Sequence, residues 1–182
     1  MTSASGNILI TGLPGSGKTT FIMKLADELR EYDPEGFFTE EIREHGVRTG
    51  FRLTSLDTKQ TGVLAHVDIK SPNRVGRYGV DLEGFERFLG ALRLRDPSPR
   101  LVVLDEIGKM ECKSERFRNL VTSLLDAPAP VIATIALRAG GFIEEVKHRR
   151  DVRLYELTER NRDSLLPDVA GLIRSSLTSG RL

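Results

Sequence analysis

Gly12-Leu13-Pro14-Gly15-Ser16-Gly17-Lys18-Thr19 is the stretch on which the reading of this chain turns. It follows the apolar run Ile8-Leu9-Ile10 and precedes a helical pattern that puts Phe21, Ile22, Leu25 and Leu29 on one face. A strand, a glycine-rich turn and a helix in that order are the setting of a phosphate-binding (Walker A) loop. The glycines let the backbone curl so that successive N–H groups point inward at a polyphosphate. The positive end of the following helix adds to the attraction. On this reading Gly12 to Thr20 form a nucleoside-triphosphate cradle. Lys18 reaches the β- and γ-phosphates, and the Thr19 hydroxyl is a ligand for Mg²⁺.

A second segment completes the chemistry. Leu101 to Leu104 is a continuous apolar run, the mark of a strand buried on both faces, and it ends in Asp105-Glu106. A carboxylate at such a strand tip is where a Walker B aspartate holds Mg²⁺, directly or through water. Glu106 beside it suits a general base for the attacking water. The plainer alternative is that the acidic pair only favours the start of the next helix. A small-molecule kinase needs an acceptor site and does not need this glutamate, and no guanine-reading Asn-Lys-x-Asp is present. Hydrolysis is therefore the expected reaction, with phosphoryl transfer to a nucleoside, nucleotide or polynucleotide acceptor as the alternative. The long separation of Thr19 from Leu101 implies that the two catalytic strands are not sheet neighbours. Val131 to Ile135 is the expected strand between them. Thr134 at its tip reads equally as a contact to the γ-phosphate or water and as a hydroxyl serving the backbone.

The rest of the pattern sets the fold class. Phe37–Glu44 and Arg48–Leu56 read as strands around a His45-Gly46 turn, with Gly62–Val67 as a third. Phe85, Phe88, Leu89 and Leu92 share a helical register, which Asp96-Pro97-Ser98-Pro99 ends. Phe117, Leu120, Val121, Leu124 and Leu125 mark an amphipathic helix. A helix near Phe142–Arg149, a strand near Val152–Leu157 and a terminal helix follow. Strands alternating with helices predict an α/β P-loop NTPase domain with a mainly parallel sheet covered on both faces. The 37–67 segment should extend that sheet antiparallel at an edge. The 182 residues fit a single domain.

Net charge is +1, so no broad footprint for nucleic acid or anionic membrane is expected. Lys147-His148-Arg149-Arg150 with Arg153 reads as a solvated helix end. No apolar run approaches the roughly 20 residues of a membrane span. The polar start, Met1 to Gly6, is unlike a secretory signal. A single cysteine, Cys112, forms no internal disulfide, and the cytoplasm is the expected location. The histidines lack metal-ligand spacing. Ser71 to Val80 is long enough for a flap whose Arg77 or Tyr78 reaches the nucleotide, with an ordinary surface loop as the alternative. Asn161 and Arg162 follow the last strand, where a base contact and a simple turn cap are equally good accounts of Asn161.

Gly12 to Thr20, Gly36-Phe37-Phe38-Thr39-Glu40-Glu41-Ile42-Arg43, Arg74 to Tyr78, Asp105-Glu106-Ile107-Gly108-Lys109-Met110-Glu111 and Glu159-Arg160-Asn161-Arg162 together resemble the THEP1 nucleoside-triphosphatase family. The Asp-Glu-Ile-Gly-Lys-Met-Glu run is the most specific piece, and the likeness spans nearly the whole chain. The resemblance implies a RecA-like three-layer fold and slow, Mg²⁺-dependent hydrolysis of ATP, GTP, CTP and UTP with weak base preference. Lys109 matches the family's lysine and is the candidate to supply transition-state charge in cis. Arg77 and Arg138 are weaker candidates for that role. The sequence names no protein partner.

Overall fold

The structure is a computed structural model that describes residues 6–94 and 99–179. Residues 1–5 of the polar start and 96–98 of the expected helix stop lie outside the described residues. The chain runs β1 (Asn7–Thr11), α1 (Lys18–Glu28), β2 (Glu35–Glu44), β3 (Val47–Ser55), β4 (Thr61–His66), β5 (Arg74–Val75), β6 (Tyr78–Val80), α2 (Leu82–Ala91), β7 (Val102–Ile107), α3 (Glu115–Leu125), β8 (Val131–Ile135), α4 (Phe142–Lys147), β9 (Val152–Glu156) and α5 (Arg162–Ser179). Among the described residues these strands form one nine-stranded sheet in the order β5-β6-β4-β3-β2-β7-β8-β1-β9.

The half from β2 to β9 is parallel, and β3, β4, β6 and β5 continue it antiparallel. The expected neighbour relation holds: β8 lies between β1 and β7, pairing Ile10 with Thr134 and Leu104 with Ala133. Strand alternation sends side chains to opposite faces. Leu9, Val102, Leu104, Val131 and Ala133 therefore face α2, α3 and α4, whereas Ile8, Ile10, Leu101, Val103 and Ile132 face α1 and α5. Both faces are apolar, as a sheet covered by helices on two sides requires. None of the described helices is long and apolar enough to cross a membrane.

Three details differ from the sequence-based reading. Glu35 and Gly36 belong to β2, pairing with Val102 and Val103, so the strand begins before the expected Phe37. The β2–β7 pairing is so close that a Cβ on Gly36 would lie 1.8 Å from the Val103 carbonyl oxygen, so the glycine serves a strand contact. The Ser71–Val80 loop contains the hairpin β5–β6, whose strands of two and three residues are too short to show a period. Leu92 caps α2 from outside the helix.

Phe37 joins the strands to the helices. Its ring is 5.9 Å from Phe88 and 6.2 Å from Phe85, both edge-on, and 6.2 Å from Phe117. Phe37→Ala should cost about 3–5 kcal/mol, read as a fall in the urea unfolding midpoint. A loss below about 1 kcal/mol would show that β2 is not anchored this way.

Candidate active site: a phosphate loop facing a buried carboxylate

The loop between β1 and α1 is held in shape by glycine. Gly15 (φ 78°) and Gly17 (φ 87°) occupy the left-handed region that side chains disfavour, and Gly17 is the N-cap of α1. Ser16 N–H donates to Leu13 O at 3.1 Å, tightening the turn. Asp81 caps α2 and Ser114 caps α3, but α1 has no side-chain cap and no acidic residue in its first turn. Its leading N–H groups and positive dipole end thus face outward without a side-chain acceptor, as an anion site needs. Lys18 Nζ lies back across the loop, 3.1 Å from Gly12 O and 3.2 Å from Leu13 O. Leu13, Pro14 and Thr20 are exposed, and Ser16 Oγ and Thr11 Oγ1 are buried without a hydrogen-bond partner.

Asp105 faces this loop from the tip of β7. Its Oδ2 accepts from Thr19 Oγ1 at 2.8 Å across 86 positions of sequence and from Thr39 N–H at 3.3 Å. Its Oδ1 accepts from Thr134 Oγ1 at 2.5 Å. Thr39 Oγ1 donates to the Asp105 carbonyl at 2.5 Å. The peptide bond from Asp105 to Glu106 is cis. Burial raises the Asp105 carboxyl above its ordinary value, opposed by the Thr134 and Thr19 hydroxyls, the Thr39 amide and the Lys18 charge. Burial also raises Glu106, and the neighbouring Asp105 raises it further, while Lys18 lowers it. A carboxyl shifted upward in this manner is a stronger base near neutral pH than an ordinary glutamate.

The donor set fits Mg²⁺. Thr19 Oγ1 and Asp105 Oδ2 are hard oxygens of the kind that ion takes, and the hydrogen bond between them sets them 2.8 Å apart. Among the described residues no group of three or more His, Cys, Asp or Glu could hold a metal.

The other expected residues divide. Thr134 is fully buried and its hydroxyl is committed to Asp105. Lys109 is exposed just beyond Gly108, near Glu106 in the chain. Arg77 donates to Arg48 O and lies 5.2 Å over the Tyr78 ring, so its guanidinium is engaged at the β3–β6 corner. Asn161 spends both ends of its amide locally: Oδ1 accepts from Thr158 N–H at 2.8 Å and Nδ2 donates to Glu156 O at 2.8 Å. Arg138 is exposed. Cys112 lies in a short 3₁₀ turn, Glu111–Lys113, where burial and the adjacent Glu111 push its thiol up to about 12. Two members of the basic cluster are paired: Arg149 meets Asp126 at 2.6 Å and Asp151 at 2.5 Å, and Lys147 meets Glu144 at 2.8 Å.

Glu111 was assigned no role from the sequence. It is buried behind Glu106, and a Cβ on Gly108 would strike both Glu106 Oε1 (2.5 Å) and Glu111 Oε2 (2.7 Å). Gly108 is thus the gap into which two carboxyls fit. Burial pushes Glu111 well above its ordinary value, and Glu106 adds to the shift.

A family model described as NTPase matches residues 7–170. A Thermotoga protein named nucleoside-triphosphatase THEP1 is 44% identical over 168 residues, covering 92% of this chain and 95% of the relative. The chain belongs to the THEP1 nucleoside-triphosphatase family. The human cancer-related nucleoside-triphosphatase is 39% identical over 186 residues, covering 93% and 97%. The crystal structure of Aquifex aeolicus THEP1 superposes with a TM-score of 0.78 at 34% identity, over 92% of this chain and 98% of that one. The solution structure of the human protein gives 0.79 at 37% identity, over 93% and 98%. With that coverage, the antiparallel half of the sheet belongs to the THEP1 fold as much as the parallel half.

Glu111 has a consequence for pH. A carboxyl raised on folding contributes stability that is whole below the ordinary value of 4.5 and lost as pH rises through the folded value. Glu111→Gln imitates the protonated form. In nucleotide-free protein its melting temperature relative to wild type should therefore climb from about pH 5 to about pH 8. A difference that is constant across that range would contradict the burial account.

Proposed function

We propose that this THEP1 chain hydrolyses the γ-phosphate of ATP, GTP, CTP and UTP with Mg²⁺, low base selectivity and slow turnover. The reading rests on the 2.8 Å contact that joins Thr19 of the phosphate loop to Asp105, with Glu106 next in the chain. Backbone N–H groups from Gly15 to Thr19 hold the phosphates, and Lys18 swings from the Gly12 and Leu13 carbonyls onto the β- and γ-phosphates. Thr19 and Asp105 would hold Mg²⁺, which when bound supplies charge to offset the phosphate oxygens. Thr134 and Thr39 fix the Asp105 carboxylate. Glu106 orients a water and accepts its proton as the water oxygen bonds to the γ-phosphorus. The bond to the β–γ bridging oxygen breaks, leaving nucleoside diphosphate and phosphate.

Low base selectivity follows from recognition dominated by backbone and phosphate, since Asn161 is tied into its own turn. Slow turnover accords with Arg77 being engaged by the Arg48 carbonyl and the Tyr78 ring and not serving as an arginine finger, a device worth roughly 10³–10⁵ in rate. Lys109 takes part of that role. The relatives named above are triphosphatases, and transfer to an acceptor other than water has no support among them. The single cysteine favours a reducing compartment such as the cytoplasm.

Glu106→Gln should keep triphosphate binding by calorimetry while phosphate release falls by about 10²–10⁴. Near-normal release would remove Glu106 as the base. Lys109→Ala should lower kcat more than it raises KM, and unchanged turnover would remove Lys109 from the mechanism.

A further inference from the structure

Beside the candidate active site lies a cavity of about 680 Å³ with a cluster of cations of which the proposed hydrolysis uses only Lys109. The β5–β6 hairpin, the turn after β7 with the first turn of α3, and the turn between β8 and α4 with the start of α4 form it. Arg74, Lys109, Lys113 and Arg118 line it, and no acidic residue does. Among the described residues none of these four meets a carboxylate within 4.0 Å, whereas Arg43, Arg48, Arg87, Lys147, Arg149 and Arg174 all do. Arg118 is steered by its own backbone contact, Nη1 donating to Cys112 O at 2.6 Å, and Arg74 donates to Arg77 O at 2.6 Å. Both guanidinium groups keep further N–H donors. Like charges gathered without counter-charge repel one another, and an anion relieves that repulsion.

The remaining wall is apolar, with Val75, Ala139, Phe142 and Ile143. The volume falls in the range of roughly 300–1,000 Å³ that holds a small organic ligand. An extended polyanion would need the basic surface to continue beyond the cavity, but the chain's net charge is only +1. The turns carrying Lys109 and Ala139 leave the tips of β7 and β8, the strands that deliver Asp105 and Thr134.

We infer that this cavity is a second ligand site, taking a small phosphorylated molecule with a ring or other apolar body, of nucleotide size, separate from the triphosphate on the Gly12–Thr19 loop. The phosphate meets the Arg74, Lys113 and Arg118 cations and the body lies on Phe142 and Val75. Lys109 belongs to both sites.

AMP is a suitable probe, titrated by calorimetry into wild-type protein and into Lys18→Ala protein. Binding is expected in both, together with weakening as salt rises and little binding of adenosine. Arg74→Glu with Lys113→Glu should weaken AMP at least about tenfold while the melting temperature is kept. If that pair fails to fold, Arg74→Gln with Lys113→Gln should show a smaller loss in the same direction. No AMP binding in either background, adenosine binding as well as AMP, or AMP binding indifferent to these charges would each overturn the inference. ATP affinity of wild type against Lys18→Ala reports on the loop separately, so failure of one site is distinguishable from failure of the other.

Discussion

The proposed function needs the Asp105 carboxylate ionised in a place that burial makes hostile to charge. Only 2% of its surface is exposed. Two threonine hydroxyls and one threonine amide donate to its oxygens, from α1, β8 and β2. Hydrogen bonds to a charged acceptor are each about twice as strong as neutral ones, so removing any of them leaves the carboxylate poorly compensated. Three elements distant in sequence are thereby bound to one atom pair, and the geometry of the site is the geometry of their convergence.

The sheet order exists in the form that permits this. With β8 between β1 and β7, Thr134 projects from the strand next to Asp105, while the loop leaves β1 one strand further on. On the other side β2 runs parallel to β7 for only Glu35, Gly36 and Phe37, and then continues into the antiparallel hairpin with Thr39 at the departure point. Phe37 is locked among Phe85, Phe88 and Phe117, which fixes the strand just before Thr39. Core packing on the α2–α3 face and polar contacts at the strand tips are therefore one structure. A carboxylate cluster of Asp105, Glu106 and Glu111, with Lys18 as the cation that offsets it at Asp105 and Glu106, is the electrostatic result.

Much of this was legible from residue order. The loop Gly12–Thr19, the apolar run into Asp105-Glu106 and the insertion of Val131–Ile135 between them follow from motif spacing and from strands too apolar to be anything but buried. What stayed hidden depended on tertiary contact. The start of β2 at Glu35 and Gly36 does not show until Val103 is seen against Gly36, and β5 and β6 are too short to carry a period. Thr134 admitted two readings because a hydroxyl at a strand tip does not announce its partner, which proved to be Asp105. Glu111 looks like one more surface glutamate in a polar turn. Only folding shows that it is buried beside Glu106 with Gly108 between. Arg77 lies in the stretch that reads as a flap or a surface loop, and its guanidinium meets the Arg48 carbonyl and the Tyr78 ring, a contact that no linear pattern encodes.

The account depends most directly on Asp105 acting as a charged oxygen ligand and not as a mere hydrogen-bond acceptor. The measurement that isolates this is the Mg²⁺ dependence of phosphate release by Asp105→Asn, which keeps the volume and one of the two acceptor oxygens but removes the charge. The account predicts a protein with wild-type folding whose release is all but abolished and whose Mg²⁺ requirement is shifted to far higher concentration. Release and Mg²⁺ dependence matching wild type would contradict it.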